Sequence, residues 1–459
     1  MSSVDLAIIG AGPAGLAAAT TARDAGLSVT LIDEAARPGG QIYRDIERST
    51  RELMSILGPD YAHGRKLVDS FEGSGCTYLS SATVWHIEET TPGFRLFYSR
   101  NGASQALDTN ALIVATGALE RPMPLPGWTL PGVCTAGALQ ILLKTAGTVA
   151  DDVVLVGNGP LLLLLAAQLV TAKCPPRAIV ETSTLGTYLR ALPHLPRALS
   201  GLGYLTKGYE LMRCIRRAGV PVYRNANSIR LEGKDQIEAI TFKSRGKIHR
   251  IETSSAGLHH GVVPNQQITR LMRCEHVWDN GERAFLPQTD SHGETSVSGL
   301  YVAGDGAGIR GARSAELAGR IAALRVAGKQ GHTAASDTRR LRAELARDAA
   351  VRPFLEALYP PCAEALSPAD DTLVCRCEEV SAGDVREAVR KNAPGPNQVK
   401  SFLRTGMGPC QGRVCGLVIS QLVSEVSGRN LDDVGYFRIR PPLKPLALSE
   451  LAEYDPGDQ

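Results

Sequence analysis

Val4-Asp-Leu-Ala-Ile-Ile9, followed at once by Gly10-Ala-Gly12-Pro13-Ala14-Gly15, reads as a buried strand running into a glycine turn. An alanine-rich helix from Leu16 to about Ala25 comes next, then a second strand, Ser28-Val-Thr-Leu-Ile32, which ends in Asp33-Glu34. Gly10 permits the tight turn, Gly12 lets a pyrophosphate approach the backbone, and Gly15 lets helix and strand pack closely. The helix N-terminus offers free N–H groups and partial positive charge to phosphate. An acid at the end of the second strand accepts hydrogen bonds from ribose hydroxyls, and Asp33 stands there, ahead of Glu34. A packing turn alone would not need that acid, so the stretch specifies a dinucleotide site.

The pattern recurs. Val153-Val-Leu-Val-Gly157-Asn-Gly159-Pro-Leu-Leu162 repeats the strand and turn, and Ala178-Ile-Val-Glu181 repeats the second strand with its acid. Leu162 occupies the third glycine position, where its side chain should push the helix away from the strand. Glu181 also sits one residue later than Asp33 does in the first unit. The second unit is therefore expected to be a structural remnant, with a working NADH site or a site for another nucleotide as the alternatives. The uncharged run 153–172 is long enough to suggest a membrane span. Gly157-Asn-Gly159-Pro160 divides it into strand, turn and helix, and Leu161 to Leu165 read as core filling.

Near the C-terminus Cys375-Arg-Cys377 is answered by Cys410-Gln-Gly-Arg-Val-Cys415. Two close pairs of thiols converging on one centre suit a [2Fe–2S] cluster or structural zinc, with disulfides a third alternative. The flanking glycines, Gly408, Gly412 and Gly416, allow backbone N–H groups to turn toward sulfur and tune such a centre. The other six cysteines (Cys76, Cys134, Cys174, Cys214, Cys274 and Cys362) read as reduced and buried singles.

The chain has 459 residues, 43% apolar and 21% charged, with a formal net charge of +3. This suits two or three globular domains and gives no reason to expect a nucleic-acid partner. Arg339-Arg340-Leu-Arg342 reads as one solvated helix face. No basic secretory n-region opens the chain, and the cytoplasm is the expected location. No cysteine pair follows Gly40, which argues against a disulfide reductase. His259-His260, without acidic or thiol neighbours in sequence, reads as a polar loop. The tail Arg438-Ile-Arg-Pro-Pro-Leu-Lys-Pro-Leu cannot extend a helix and is expected to pack as an extended arm on the body or on a partner.

Three further segments carry a resemblance: Pro38-Gly-Gly40-Gln41, Ala111-Leu-Ile-Val-Ala-Thr116-Gly117, and Gly299-Leu-Tyr-Val-Ala-Gly304-Asp305 with Thr295 upstream. They resemble elements of the two-dinucleotide-binding-domain flavoproteins, in which the Gly-Asp aspartate reaches the ribityl–pyrophosphate part of FAD. The resemblance implies FAD, or another flavin or adenine nucleotide, held by Gly10, Gly12, Pro13, Ala14, Gly15, Asp33, Glu34, Gly40, Gln41, Thr116, Gly117, Gly304 and Asp305. Residues 371–437 resemble the bacterioferritin-associated-ferredoxin-like domain, with Cys375, Cys377, Cys410 and Cys415 holding [2Fe–2S].

The whole chain, with Ala115-Thr-Gly-Ala-Leu-Glu-Arg-Pro122 and Pro126-Gly-Trp-Thr-Leu-Pro-Gly132, resembles the larger, α-type subunits of bacterial multi-subunit FAD-dependent amine dehydrogenases. That family includes the corresponding subunits of opine oxidase, of proline and D-hydroxyproline dehydrogenases, and of hydrogen cyanide synthase. The expected fold is α/β, with Rossmann-like FAD and NAD-type domains and a small α-rich [2Fe–2S] domain. The boundaries expected are 1–120 and 285–330 for FAD, 121–284 for the degenerate NAD-type unit, 331–370 for a connector, 371–437 for the cluster and 438–459 for the tail.

The resemblance further implies amine oxidation in a D-amino-acid-oxidase-like β subunit with its own FAD. It also implies room for FMN between subunits and, as a further partner, a small ferredoxin-like subunit. Electrons would pass to a quinone or other non-oxygen acceptor, with any membrane contact made peripherally through that acceptor. No catalytic residue stands out in this chain. A stand-alone NAD(P)H-dependent reductase and a structural scaffold with vestigial sites remain the alternative readings.

Overall fold

The computed structural model describes residues 3–332, 338–452 and 454. Residues 333–337 of the expected connector and 453 and 455–459 of the tail lie outside the described residues. Strand Ser3–Ile9 pairs in parallel with Val29–Ile32 on one side and Ala103–Val114 on the other, Leu6 facing both Val29 and Ala111. Thr77–Leu79 extends one edge, the antiparallel strands Phe94–Arg100 and Ala82–Glu89 extend the other, and Leu300–Val302 returns late in the chain to pair in parallel with Leu112–Val114.

Helix Pro13–Asp24 lies on this seven-stranded sheet beside helix Ala312–Lys329. Both bury small residues, among them Ala18, Ala22, Ala322 and Ala323. The consequence is close helix contact: a Cβ at Gly319 would lie 2.1 Å from the Ala14 carbonyl oxygen. Only glycine fits there.

A second, five-stranded parallel sheet contains Val154–Asn158 at its centre, flanked by Ala178–Glu181 and Ala256–His260. Gly157-Asn-Gly159 does divide the uncharged run into that strand and helix Pro160–Thr171, with Leu162 and Leu165 buried. Among the described residues, no helix is long and apolar enough to cross a membrane.

His259 and His260 are not in a loop: both are buried on strand Ala256–His260. His259 Nδ1 lies 2.6 Å from a carboxylate oxygen of Glu120. The His260 ring has no hydrogen-bond partner among the described residues, and burial first, then His259 and Arg121, push its pKa down to about 3, so it is neutral. The six single cysteines form no disulfide, but only Cys274 is buried. Cys134 is exposed on the edge strand Val133–Thr135, where alternation turns it outward.

The C-terminal module starts from the hairpin Leu373–Cys375 with Val380–Ser381. Helix Ala382–Arg390 is started by a capping box between Ser381 and Asp384. Its Val385 and Val389 join Val399, Ile419 and Leu422 in a core continuous with Ile9, Leu112 and Leu300 of the first sheet.

The tail, and Phe437 just before it, pack back on the body. Phe437, Ile439 and Leu443 are buried, and the Leu443 N–H donates to the Trp85 carbonyl at 2.8 Å. The Phe437 ring fills space left by two glycines: a Cβ at Gly406 or Gly412 would come within 2.8 or 2.7 Å of it. Phe437→Ala should therefore lower stability by about 3–5 kcal/mol, read by chemical denaturation, through loss of the ring and the cavity left behind.

Candidate cofactor-binding site

The first unit brings its glycine turns to one edge of the sheet. A Cβ at Gly15 would lie 1.8 Å from the Gly10 carbonyl oxygen, and one at Gly10 would lie 2.4 Å from the Ala115 oxygen. Gly40, at φ +60°, packs so closely on Gly12 that a Cβ there would meet Gly12 Cα at 2.7 Å. Gly304 stands against the Ala14 methyl, and Gly306 against the Gly117 carbonyl. Segments far apart in sequence, around Gly12, Gly40, Gly117 and Asp305, thus converge on the N-terminus of helix Pro13–Asp24. That is the place where backbone N–H groups and the helix dipole attract phosphate.

Asp33 closes the turn: its carboxylate accepts the Ala11 N–H at 2.5 Å and the Ala35 N–H at 2.6 Å. Burial raises its pKa, and these two donors oppose the rise. Glu34 faces away and pairs with Lys444 of the tail at 2.8 Å. Asp305 accepts the Arg310 and Gly311 N–H groups at 2.8 and 2.9 Å, fixing the start of helix Ala312–Lys329. Thr295 is turned onto its own loop, bonding Val297.

The four module cysteines also meet. Cys415 contacts Cys375 and Cys410, and Cys410 contacts Cys377. Among the described residues, no group of three or more His, Cys, Asp or Glu side chains is arranged to hold a single metal ion; these sulfurs are linked pairwise. Hydrogen bonding from Cys415 brings Cys375 down to about 6 and Cys410 down to about 5, against the effect of burial. Cys415, bonded to those two, is pushed well up, and burial raises Cys377.

Backbone N–H groups of Glu378 and Gly406 point at Cys375, and those of Gly412 and Val414 at Cys410. Gly408 is open because a Cβ there would lie 2.3 Å from Cys377 Cβ. Four thiols supplied with backbone donors suit a cluster that carries excess negative charge.

The two sites are joined. The Gly117 carbonyl accepts the Asn265 N–H at 3.0 Å, and Gln267 Nε2 donates to the Gln411 carbonyl at 3.3 Å, next to Cys410. Gln267 Oε1 is buried without a partner among the described residues, and Gln267 lines a cavity at this seam with Pro264, Arg413, Leu417 and Tyr436. On the other side of the module, Trp128 Nε1 donates to the Leu373 carbonyl at 2.7 Å, two residues before Cys375.

Residues 4–331 match the family model described as pyridine nucleotide-disulphide oxidoreductase, and residues 369–454 match the sarcosine oxidase A3 domain. The chain is 42% identical to the A-type subunit of opine oxidase from Rhizobium meliloti (strain 1021), covering 99% of each chain. It is 44% identical to the same subunit from Agrobacterium tumefaciens (strain Ach5), covering 98% of this chain and 91% of that one. The chain belongs to the family of opine oxidase A-type subunits. Its fold is that of an L-proline dehydrogenase from P. horikoshii, at TM-score 0.73 and 18% identity over 98% of this chain and 79% of that one. It is thus a flavin-dependent oxidoreductase subunit by family, built on Rossmann-type units.

The second fingerprint of this opine oxidase family member is crossed by its own chain. Asn158, between the two glycines, donates from Nδ2 to the Pro360 carbonyl at 2.8 Å and to Thr182 Oγ1 at 3.1 Å. Glu181 pairs with Arg224 at 3.3 Å, and Tyr359 packs beside Glu181 and Tyr188. Leu162 is accommodated in the core, but the first helical turn loosens. Its Leu163 N–H to Gly159 bond is 3.4 Å, against 2.9 Å for Leu16 to Gly12 in the first unit.

Sequence reading missed Lys144. It lies on the inward face of helix Ala136–Ala146, with Gln140 and Leu143, and that spacing was the available signal. Its Nζ donates to the Gln41 carbonyl at 3.0 Å and to Gln140 Oε1 at 2.9 Å, fixing the loop that covers Gly12. Burial, helped by Arg44, brings its pKa down to about 7. An unfolded lysine keeps its proton to about pH 10.4, so between about pH 7 and pH 10 the unfolded chain binds the extra proton and stability rises with pH. Lys144→Met should remove up to about 1.4 kcal/mol per pH unit of that slope, measured by denaturant unfolding across the range.

Proposed function

We propose that this chain is the electron-transferring subunit of a heteromeric dehydrogenase that oxidises a secondary amine or amino acid of the opine type. Oxidation of the amine belongs to a partner FAD subunit, and this chain passes the electrons to a quinone or other non-oxygen acceptor. The observation that carries the reading is the hydrogen-bonded seam from Gly117 through Asn265 and Gln267 to Gln411, which ties a flavin-type fold to four converging thiols.

FAD suits the first unit: Gly12 and Gly40 leave the backbone bare for the pyrophosphate, Asp33 stands at the strand end, and Asp305 closes the far turn. A [2Fe–2S] centre suits Cys375, Cys377, Cys410 and Cys415. When bound, the flavin takes up two electrons together and the cluster passes them singly. The chain's own residues set the conditions for both. Lys144 and Asp33 hold the loops over Gly12, while Gly406, Gly412 and Val414 direct N–H groups at sulfur. Pro264, Leu417 and Tyr436 surround the seam with apolar surface.

Metal analysis and absorption spectra of anaerobically purified chain test this. About two irons per chain are expected, and Cys410→Ser should lose the iron while retaining flavin absorbance. Zinc in place of iron would overturn the assignment. NADH should not bleach the flavin, because Pro360 and Tyr359 lie across the second fingerprint; rapid bleaching would instead establish a stand-alone reductase.

A further inference from the structure

Between Leu185 and Arg217 the chain turns its amphipathicity inside out. Four short helical pieces and helix Leu202–Arg217 follow one another almost without a break. In the four short pieces the residues that face the body are small, Thr187, Ala191 and Ala198, while helix Leu202–Arg217 is anchored by the buried Ile215. The large ones face solvent. Leu185, Leu189, Leu192, Leu199 and Leu202 are between 55% and 76% exposed, and Tyr188, Leu195, Tyr209 and Met212 continue the row. From Leu185 to Leu202 they recur every three or four residues, the spacing of one helical face. A contiguous apolar face of this kind marks a surface that water does not normally cover.

The charge of the segment indicates what covers it. Six cations, Arg190, Arg197, Lys207, Arg213, Arg216 and Arg217, stand against the single acid Glu210. The chain as a whole carries only +3, so its excess positive charge is concentrated here. Lys207 pairs with Asp60; among the described residues the five arginines form no ion pair. Arginines beside an aliphatic row are the pattern of helices that lie in the boundary between lipid headgroups and acyl chains.

We infer that residues 185–217 are a monotopic membrane-contact surface: the leucine row enters the acyl boundary of an anionic bilayer and the arginines meet its headgroups. The surface stands on this exposed face alone, independently of the cofactor assignments. A lipid-dissolved acceptor would be met at the same surface.

Co-sedimentation of the full chain with vesicles tests the inference. The wild-type chain should sediment with mixed phosphatidylglycerol–phosphatidylcholine vesicles and far less with phosphatidylcholine alone. Leu189→Asp with Leu199→Asp should cut partitioning by roughly a hundredfold, with flavin absorbance and unfolding midpoint unchanged, because both leucines are exposed. Arg190→Glu with Arg197→Glu should abolish the preference for anionic lipid. Wild-type chain that ignores both vesicle types, or a leucine variant that still binds them, would overturn the proposal. So would a leucine variant that no longer joins its partner while wild type ignores lipid, since the row would then be a protein interface. None of these readouts depends on flavin or iron content.

Discussion

The contact between Gly15 and the Gly10 carbonyl governs how the first half is built. With only 1.8 Å available for a Cβ, no other residue lets helix Pro13–Asp24 lie so low on its strand. Because the helix lies low, its N-terminus reaches the edge where Ala115, Gly117 and Gly304 end their own strands. The same economy of volume recurs one layer out, where Gly319 allows helix Ala312–Lys329 to touch Ala14. A turn of bare backbone at a helix N-terminus thus arises from close approach, with few side chains involved.

The second unit shows what changes when that constraint is relaxed. It keeps Gly157, whose Cβ would fall 1.8 Å from the His259 carbonyl oxygen, so strand and turn remain close-packed. It replaces the third glycine with Leu162, and the first helical turn loosens to a 3.4 Å bond while the leucine joins the core. Some polar groups that a nucleotide would meet are taken up within the chain: Asn158 Nδ2 by Pro360 and Thr182, Glu181 by Arg224. One duplicated fold therefore presents an open turn in one copy and, in the other, a turn crossed by its own chain.

Local chemistry explains which features were legible in the sequence. The glycine turns, the strand-end Asp33 and the paired cysteines depend on spacing within short segments; Asp33 follows strand Val29–Ile32, and the four cysteines come into contact. The histidines were misread because neighbours that matter are distant in sequence: Glu120 reaches His259 across 139 residues. Lys144 and Gln267 escaped notice for the same reason, since their partners at Gln41 and Gln411 become adjacent only after folding. The exposed cysteine at position 134 follows from an edge strand, and edges cannot be read from a single strand's pattern.

The seam between the two halves depends on several modest contacts placed on different sides of the cysteine module. Trp128 holds the strand that leads into Cys375, Gln267 holds the loop after Cys410, and Arg413 bonds the Cys410 and Leu443 carbonyls. Lys444 then returns to Glu34, beside the residue that closes the first turn. Each hydrogen bond contributes only about 1 kcal/mol, and exposed ion pairs less. Their value lies in geometry, because bonds on opposed sides, with one continuous hydrophobic core between them, oppose rotation of the module about any single contact. Phe437 and the proline-rich tail that follows it complete this arrangement. Without Phe437 and Leu443 in place, Gly406 and Gly412 would border a void and Arg413 would lose its second acceptor, so the loops bearing the cysteines owe their shape to residues that follow them in the chain.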